Sequence, residues 1–229
     1  MITLNRGAFL LAGILAFAPA GMAQDKNVTE VDNRLNTATA VFDEMMGTPA
    51  TGIPPSLLAK SQCVVTIPHM KKGAFIVGVS HGAGFASCRT TSGWSAPSPI
   101  SLSGGSLGAQ IGGQETDIVM LFMSPTARNQ LLSSGFKLGA GTSVQAGPTG
   151  AGAQTPRNAD VYTYVRKNGA FAGASISGSN LGQDKDATKA LYGAEIPQAN
   201  ILQGGVRVPP AAQQYVYALN RHTYAAARG

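Results

Sequence analysis

From Gln62 onward the chain is made of short apolar runs, separated every eight to twelve residues by turns rich in glycine, proline and serine. That rhythm excludes a helical bundle, because no run is long enough to carry a helix across several turns. It predicts strands near residues 63–67, 74–80, 84–89, 99–103, 107–111, 116–123, 136–145, 161–166 and 170–177. Glycines inside these runs (Gly78, Gly108, Gly139, Gly173) fit sharply bent strands and close backbone approach. Charged residues make up only 12% of the chain, about half the usual share, which again favours closely packed strands. The predicted fold is mainly β within an α+β class. It has an antiparallel β-barrel core with about three helices packed on its outside.

The helical segments are marked by caps and apolar spacing. Val28, Val31, Leu35, Ala38, Val41, Phe42 and Met45 recur at three- and four-residue intervals and predict a helix over 25–46. A helical turn is expected at 55–61 and a short helix after Ser124-Pro125, where serine caps and proline fits the first turn. Residues 184–191 read as a helix stopped by Gly193, and a last helix starts near Pro210. Residues 146–158 read as a flexible loop.

The first 23 residues carry one charge at Arg6, an apolar run and small residues at Gly21 and Ala23. This is the form of a secretory leader, with cleavage expected after Ala23 and a single domain over 24–229. Export places Cys63 and Cys88 in an oxidising compartment, where such a pair forms a disulfide. The formal charge of +6 permits an anionic partner. It comes without the clustered lysines and arginines that nucleic acid requires.

Four motifs bear on chemistry. Gly78-Val79-Ser80-His81-Gly82 matches the G-x-S-x-G pattern of serine hydrolases, but a nucleophile elbow lies between a strand and a helix. Here strands are expected on both sides, and His81 is adjacent in sequence while the only other histidines are His69 and His222. A glycine-rich hairpin turn is the reading we adopt, and no catalytic residues are assigned. Asp184, Asp186, Thr188 and Glu195 have calcium-loop spacing, yet Lys189 stands where the loop needs glycine. GGSLGAQIGG and GAGTSVQAG lack the lysine of a phosphate loop. No metal or cofactor follows from any of these. The more telling feature is basic: Lys71 and Lys72 in one expected turn, Arg166 and Lys167 in another, and Arg89 at a strand end. Meeting at one barrel end, they would form a cationic rim for phosphate head groups.

The blocks LLAKSQCVVTIPHMKKGAFIVGVSHGAGFASCR, GWSAPSPISLSGGSLGAQIGGQETDIVMLFM, FKLGAGTSVQAGP, DVYTYVRKNGAFAGASISGSNLG and ALYG, in that order, resemble the SYLF domain family. The resemblance runs over about 28–193, leaving 194–229 as a C-terminal helical extension, and is to an exported bacterial branch. It implies a non-catalytic domain that binds phosphoinositides or other anionic lipids. In eukaryotes this domain sits beside Src-homology-3 or zinc-finger modules, and some fungal relatives bind and bundle actin. Lys71 and Lys72 match the family's basic turn. Eukaryotic relatives bind membranes through a basic N-terminal segment, whereas the helix here carries Asp25, Glu30, Asp32, Asp43 and Glu44 against Lys26 and Arg34. Docking on the barrel is therefore expected of it. The expected location is the periplasm or outer membrane, which argues against actin. The alternative function is a structural or protein-interaction role in the envelope, through the 146–158 loop and the C-terminal helix.

Overall fold

The computed structural model describes residues 20–48, 52–72, 80–104, 116–133, 135–148, 159–167, 170–172 and 176–226. Most of the leader, the strands expected at 74–80 and 107–111, Gly78, Gly108, Gly173 and most of the 146–158 loop lie outside these residues. For Lys71 and Lys72 the backbone position alone is described.

The fold is mixed α+β. Its strands are β1 (Cys63–Lys72), β2 (Ser80–Thr90), β3 (Gly93–Trp94), β4 (Ser98–Gly104), β5 (Thr116–Phe122), β6 (Gly135–Lys137), β7 (Val144–Ala146), β8 (Val161–Lys167), β9 (Ala170–Ala172) and β10 (Ser179–Gln183). They pair in the order β6-β10-β4-β2-β1-β5-β8-β7, with β3 on β2 and β9 on β8. Among the described residues no ladder joins β6 to β7, so the sheet curls as a half-barrel where the sequence predicted closure. One pairing departs from the expected antiparallel pattern: β7 runs parallel to β8. The strand expected over 136–145 is broken in two, because Gly139 and Gly141 turn the chain at φ +85° and +73°.

Helices α1 (Ala20–Gly47), α2 (Pro55–Lys60), α3 (Pro125–Leu132), α4 (Lys185–Tyr192), α5 (Gln198–Leu202) and α6 (Gln213–Ala226) complete the described elements with a 3-10 turn at Pro210–Ala212. These are more than the three or so expected, since α2, α3 and α5 are one- or two-turn pieces. Ser124 Oγ accepts from the Ala127 N–H at 3.2 Å to cap α3. Asp184 Oδ1 accepts from the Ala187 N–H at 3.0 Å to cap α4, and Gly193 ends α4 at φ 72°. The acidic residues with calcium-loop spacing thus open a helix instead.

Apolar side chains of adjacent strand residues point to opposite faces, and both faces are buried. Val64, Phe85, Val119, Leu121, Tyr162 and Tyr164 pack beneath α1, α2 and α6. Cys63, Val65, Ile67, Ala86, Ile118, Met120 and Phe122 fill the concave side with Ala127, Leu131 and Leu202. A sheet covered on both faces explains the near-continuous apolar run of β5. Helix α1 buries Val31, Leu35, Ala38, Val41, Phe42 and Met45 as its spacing predicted, while Val28 stays 37% exposed.

Strands β1 and β2 approach closely at Gly84, where a Cβ would lie 2.0 Å from the Thr66 carbonyl oxygen and 2.8 Å from Ile67 Cα. Gly84→Ala is expected to cost about 2 kcal/mol through forced strand separation. Urea denaturation measures this, and an unchanged midpoint would mean the strands part without penalty.

Candidate functional site

Pro68 interrupts β1, a strand paired on both edges, and proline cannot donate to a ladder. The chain answers with a bulge: pairing with β5 shifts between Ile67 and Met70, and pairing with β2 shifts between Thr66 and Lys71. His69 takes φ 48° there, the one positive value among described non-glycine residues. Asp117 of β5 holds this conformation, its Oδ1 accepting from the His69 N–H at 3.0 Å. Bulges of this kind redirect a strand end, and the redirected residues are Met70, Lys71 and Lys72.

The same carboxylate organises the neighbouring strand. Asp117 Oδ2 accepts from Arg166 Nη2 at 2.9 Å and from Nε at 3.3 Å, and Arg166 Nη1 pairs with Glu44 near the end of α1. Burial alone would lower the Arg166 pKa, but its bonds to Asp117 and Glu44 outweigh that and hold it above the ordinary arginine value. Thr116 is the register partner of both Met70 on one side and Lys167 on the other. Two strand spacings, about 10 Å, therefore separate the ends of β1 and β8. Lys71 faces His81 across β1–β2, and His81 is exposed.

Lys71, Lys72, Arg166 and Lys167 thus gather at one end of the sheet, in strands rather than in the turns the sequence predicted. Arg89 does not join them. It lies at the far end of β2, beside the Cys63–Cys88 disulfide, roughly 30 Å along the strand from Ser80. Its guanidinium donates to the carbonyls of Ser61 (2.8 Å), Leu58 (2.9 Å) and Ala59 (3.2 Å) and lies 4.5 Å above the Trp94 ring. Arg89 satisfies the last turn of α2, whose carbonyls have no helical donor. Arg89→Gln is expected to lower stability by about 2 kcal/mol, with anion binding unchanged. Chemical denaturation beside a binding assay checks both halves, and weakened binding in a folded variant would return Arg89 to the site.

Ser80 opens β2, paired with Lys72, and strand continues to Thr90. It neither ends a strand, as predicted, nor precedes a helix, so the geometry of a nucleophile elbow is missing. The pairing of Arg166 with Asp117 and Glu44 escaped the sequence reading. The signal for Asp117 was an acidic residue opening an otherwise apolar strand, Thr116–Phe122.

Asp43 of α1 also turns toward protein. Arg221 Nη2 of α6 donates to Asp43 Oδ1 at 2.7 Å, and His222 Nε2 lies 2.8 Å from the same oxygen. Arg34 pairs with Glu30 at 2.8 Å and approaches Asp184 at 3.5 Å. The helix docks on the sheet, and its Glu44 and Asp43 serve partners in β8 and α6.

Residues 103–222 match the family model described as Ysc84, Las17-binding protein actin regulator. The chain belongs to the Ysc84 family. This agrees with the SYLF resemblance, and the match reaches into α6, past the 193 boundary drawn from the sequence blocks. Relatives include an SH3 domain-containing protein of Schizosaccharomyces pombe, 35% identical over 77% of this chain and 43% of its own length. Protein YSC84 of Saccharomyces cerevisiae is 33% identical over 75% of this chain and 38% of its own. SH3 domain-containing YSC84-like protein 1 of Xenopus laevis is 33% identical over 75% and 53% respectively. The chain thus spans about two fifths to one half of these relatives. Their names are those of binding and regulatory proteins, not of enzymes. The family description names an actin regulator, so the expectation set against actin finds no support there.

Proposed function

We propose that this Ysc84-family protein is a non-catalytic module that binds anionic lipid head groups at the bulged end of its sheet, within a bacterial envelope. The observation that carries this reading is the convergence of Lys71, Lys72, Arg166 and Lys167 on one sheet end around the bulge held by Asp117. A cluster of cations can hold phosphate oxygens, and each basic residue near an anionic surface contributes about 1 kcal/mol.

The test is flotation with phosphatidylcholine vesicles, with and without phosphatidylglycerol. Lys71→Gln with Lys72→Gln is expected to weaken binding about 30-fold, the equivalent of roughly 2 kcal/mol. Glu44→Gln acts in the opposite direction. It removes a carboxylate that competes for Arg166, so binding should tighten about fivefold. Equal binding by all three proteins would overturn the assignment.

A protein-interaction role is favoured by one specific observation. Tyr217 and Tyr224 on α6 are 60% and 65% exposed, with the Arg221 guanidinium 5.8 Å from the Tyr217 ring, and tyrosine and arginine are enriched where proteins meet. The family description, which names Las17 binding and actin regulation, accords with such a role. Pull-downs abolished by Tyr217→Ser and Tyr224→Ser, with vesicle binding absent, would favour it.

A further inference from the structure

Two of the chain's three histidines stand at the bulged end of the sheet. His69 sits in the bulge itself, exposed, at φ 48°. His81, also exposed, follows Ser80 at the start of β2 and is the register partner of Lys71. His69 lies two residues before Lys71 on β1, so the backbones of both histidines fall within about 7 Å of that lysine's. His222, the third, pairs with Asp43 where α6 meets α1.

The charged neighbours of His69 are Asp117 of β5, which accepts from its N–H, Arg166 of β8 on the same carboxylate, and Glu44 of α1 on Arg166. His81 has Lys71 of β1 on one side and the uncharged Ser103 of β4 on the other. Lys72 and Lys167 end β1 and β8. Lys137 of β6 shares the row of His81 three strand spacings away, about 14 Å. Histidine is the side-chain type that changes charge between about pH 8 and pH 5, whereas carboxylates do so near about pH 4 and amines near about pH 10. A phosphate placed among these groups attracts an imidazolium more strongly than a neutral imidazole. Proton uptake and anion binding therefore favour each other.

We propose that His69 and His81 belong to the anion site and make it respond to acid, so that head-group binding tightens as pH falls through the histidine range. The proposal rests on the head-group reading and adds to it two binding residues and a means of regulation.

The test is flotation of the purified protein with phosphatidylcholine–phosphatidylglycerol vesicles at about pH 7.5 and about pH 5.5, at constant salt. The phosphodiester of phosphatidylglycerol keeps its negative charge at both, so a change in binding reports on the protein. Binding should tighten about tenfold at the lower pH, since each added cation near an anionic surface contributes up to about fivefold. His69→Asn is chosen because asparagine tolerates the left-handed backbone. It and His81→Gln should each leave about a threefold gain, and together they should abolish it. His222→Gln should keep the whole gain. Vesicle binding that ignores pH overturns the proposal and leaves the head-group reading standing. A gain that survives in the double variant, or that vanishes in His222→Gln, overturns it equally. Absence of vesicle binding at both pH values removes the head-group reading and this proposal together.

Discussion

Replacing Cys63 and Cys88 by alanine is expected to lower the unfolding free energy by about 3.5 kcal/mol. The two half-cystines are directly opposed in the β1–β2 register, 25 residues apart in sequence, and fully buried. The bond therefore joins strands that the ladder already holds together, and its main effect is to restrict the unfolded chain. For a domain of this size that loss corresponds to a fall of about 10 °C in the melting midpoint. Thermal denaturation of the oxidised, reduced and doubly substituted protein measures it. Reduced and substituted forms should coincide, well below the oxidised one. Coincidence of all three would mean that the disulfide contributes nothing. Below its midpoint the substituted protein should keep its anion binding, because the basic end of the sheet lies at the other end of β1.

Tyr215→Ala carries the other large effect, a loss of about 4 kcal/mol from emptying a fully buried aromatic site. Tyr215 projects from α6 onto Phe85, with ring centroids 6.2 Å apart. Its hydroxyl donates to Thr66 Oγ1 at 3.0 Å, and burial pushes the phenol pKa up so that this donor stays protonated. Ala212, Ala218 and Leu219 are buried beside it. Trp94 Nε1 donates to Thr223 Oγ1 at 3.0 Å. Helix α6 is thus part of the core that covers the sheet, not an appendage to it. Tyr215→Phe, which removes the hydroxyl alone, should cost about 1 kcal/mol. Urea denaturation of both variants separates packing from hydrogen bonding. A Tyr215→Ala midpoint equal to that of the parent protein would make α6 peripheral.

What could be read from the sequence depended on how local its cause was. The apolar face of α1, the serine cap of α3 and the glycine stop of α4 are written within a few residues each, and the structure has them. Strand β10 was missed because Ser-Asn-Leu-Gly-Gln has little intrinsic preference for extended structure and is drawn in by pairing with β4 and β6. The parallel pairing of β7 on β8 was missed because it is a long-range choice. At the candidate site, residue type alone marked the cations, and distance along the folded strands then divided them. Arg89 belongs to the packing of α2, and the other four belong to the bulged end. Asp117 carried a sequence signal, an acidic residue in an apolar run, but its partners His69 and Arg166 became visible only once β1, β5 and β8 were seen side by side.

An anion is expected to dock at the end of β1 and β8. An NMR titration of the purified protein with inositol hexakisphosphate, repeated at low and high salt, tests it most directly. Salt-sensitive shifts centred on Lys71, Lys72, Arg166 and Lys167 are expected, with Arg89 and Trp94 unmoved. Shifts centred on Arg89, or none at millimolar ligand, would contradict it.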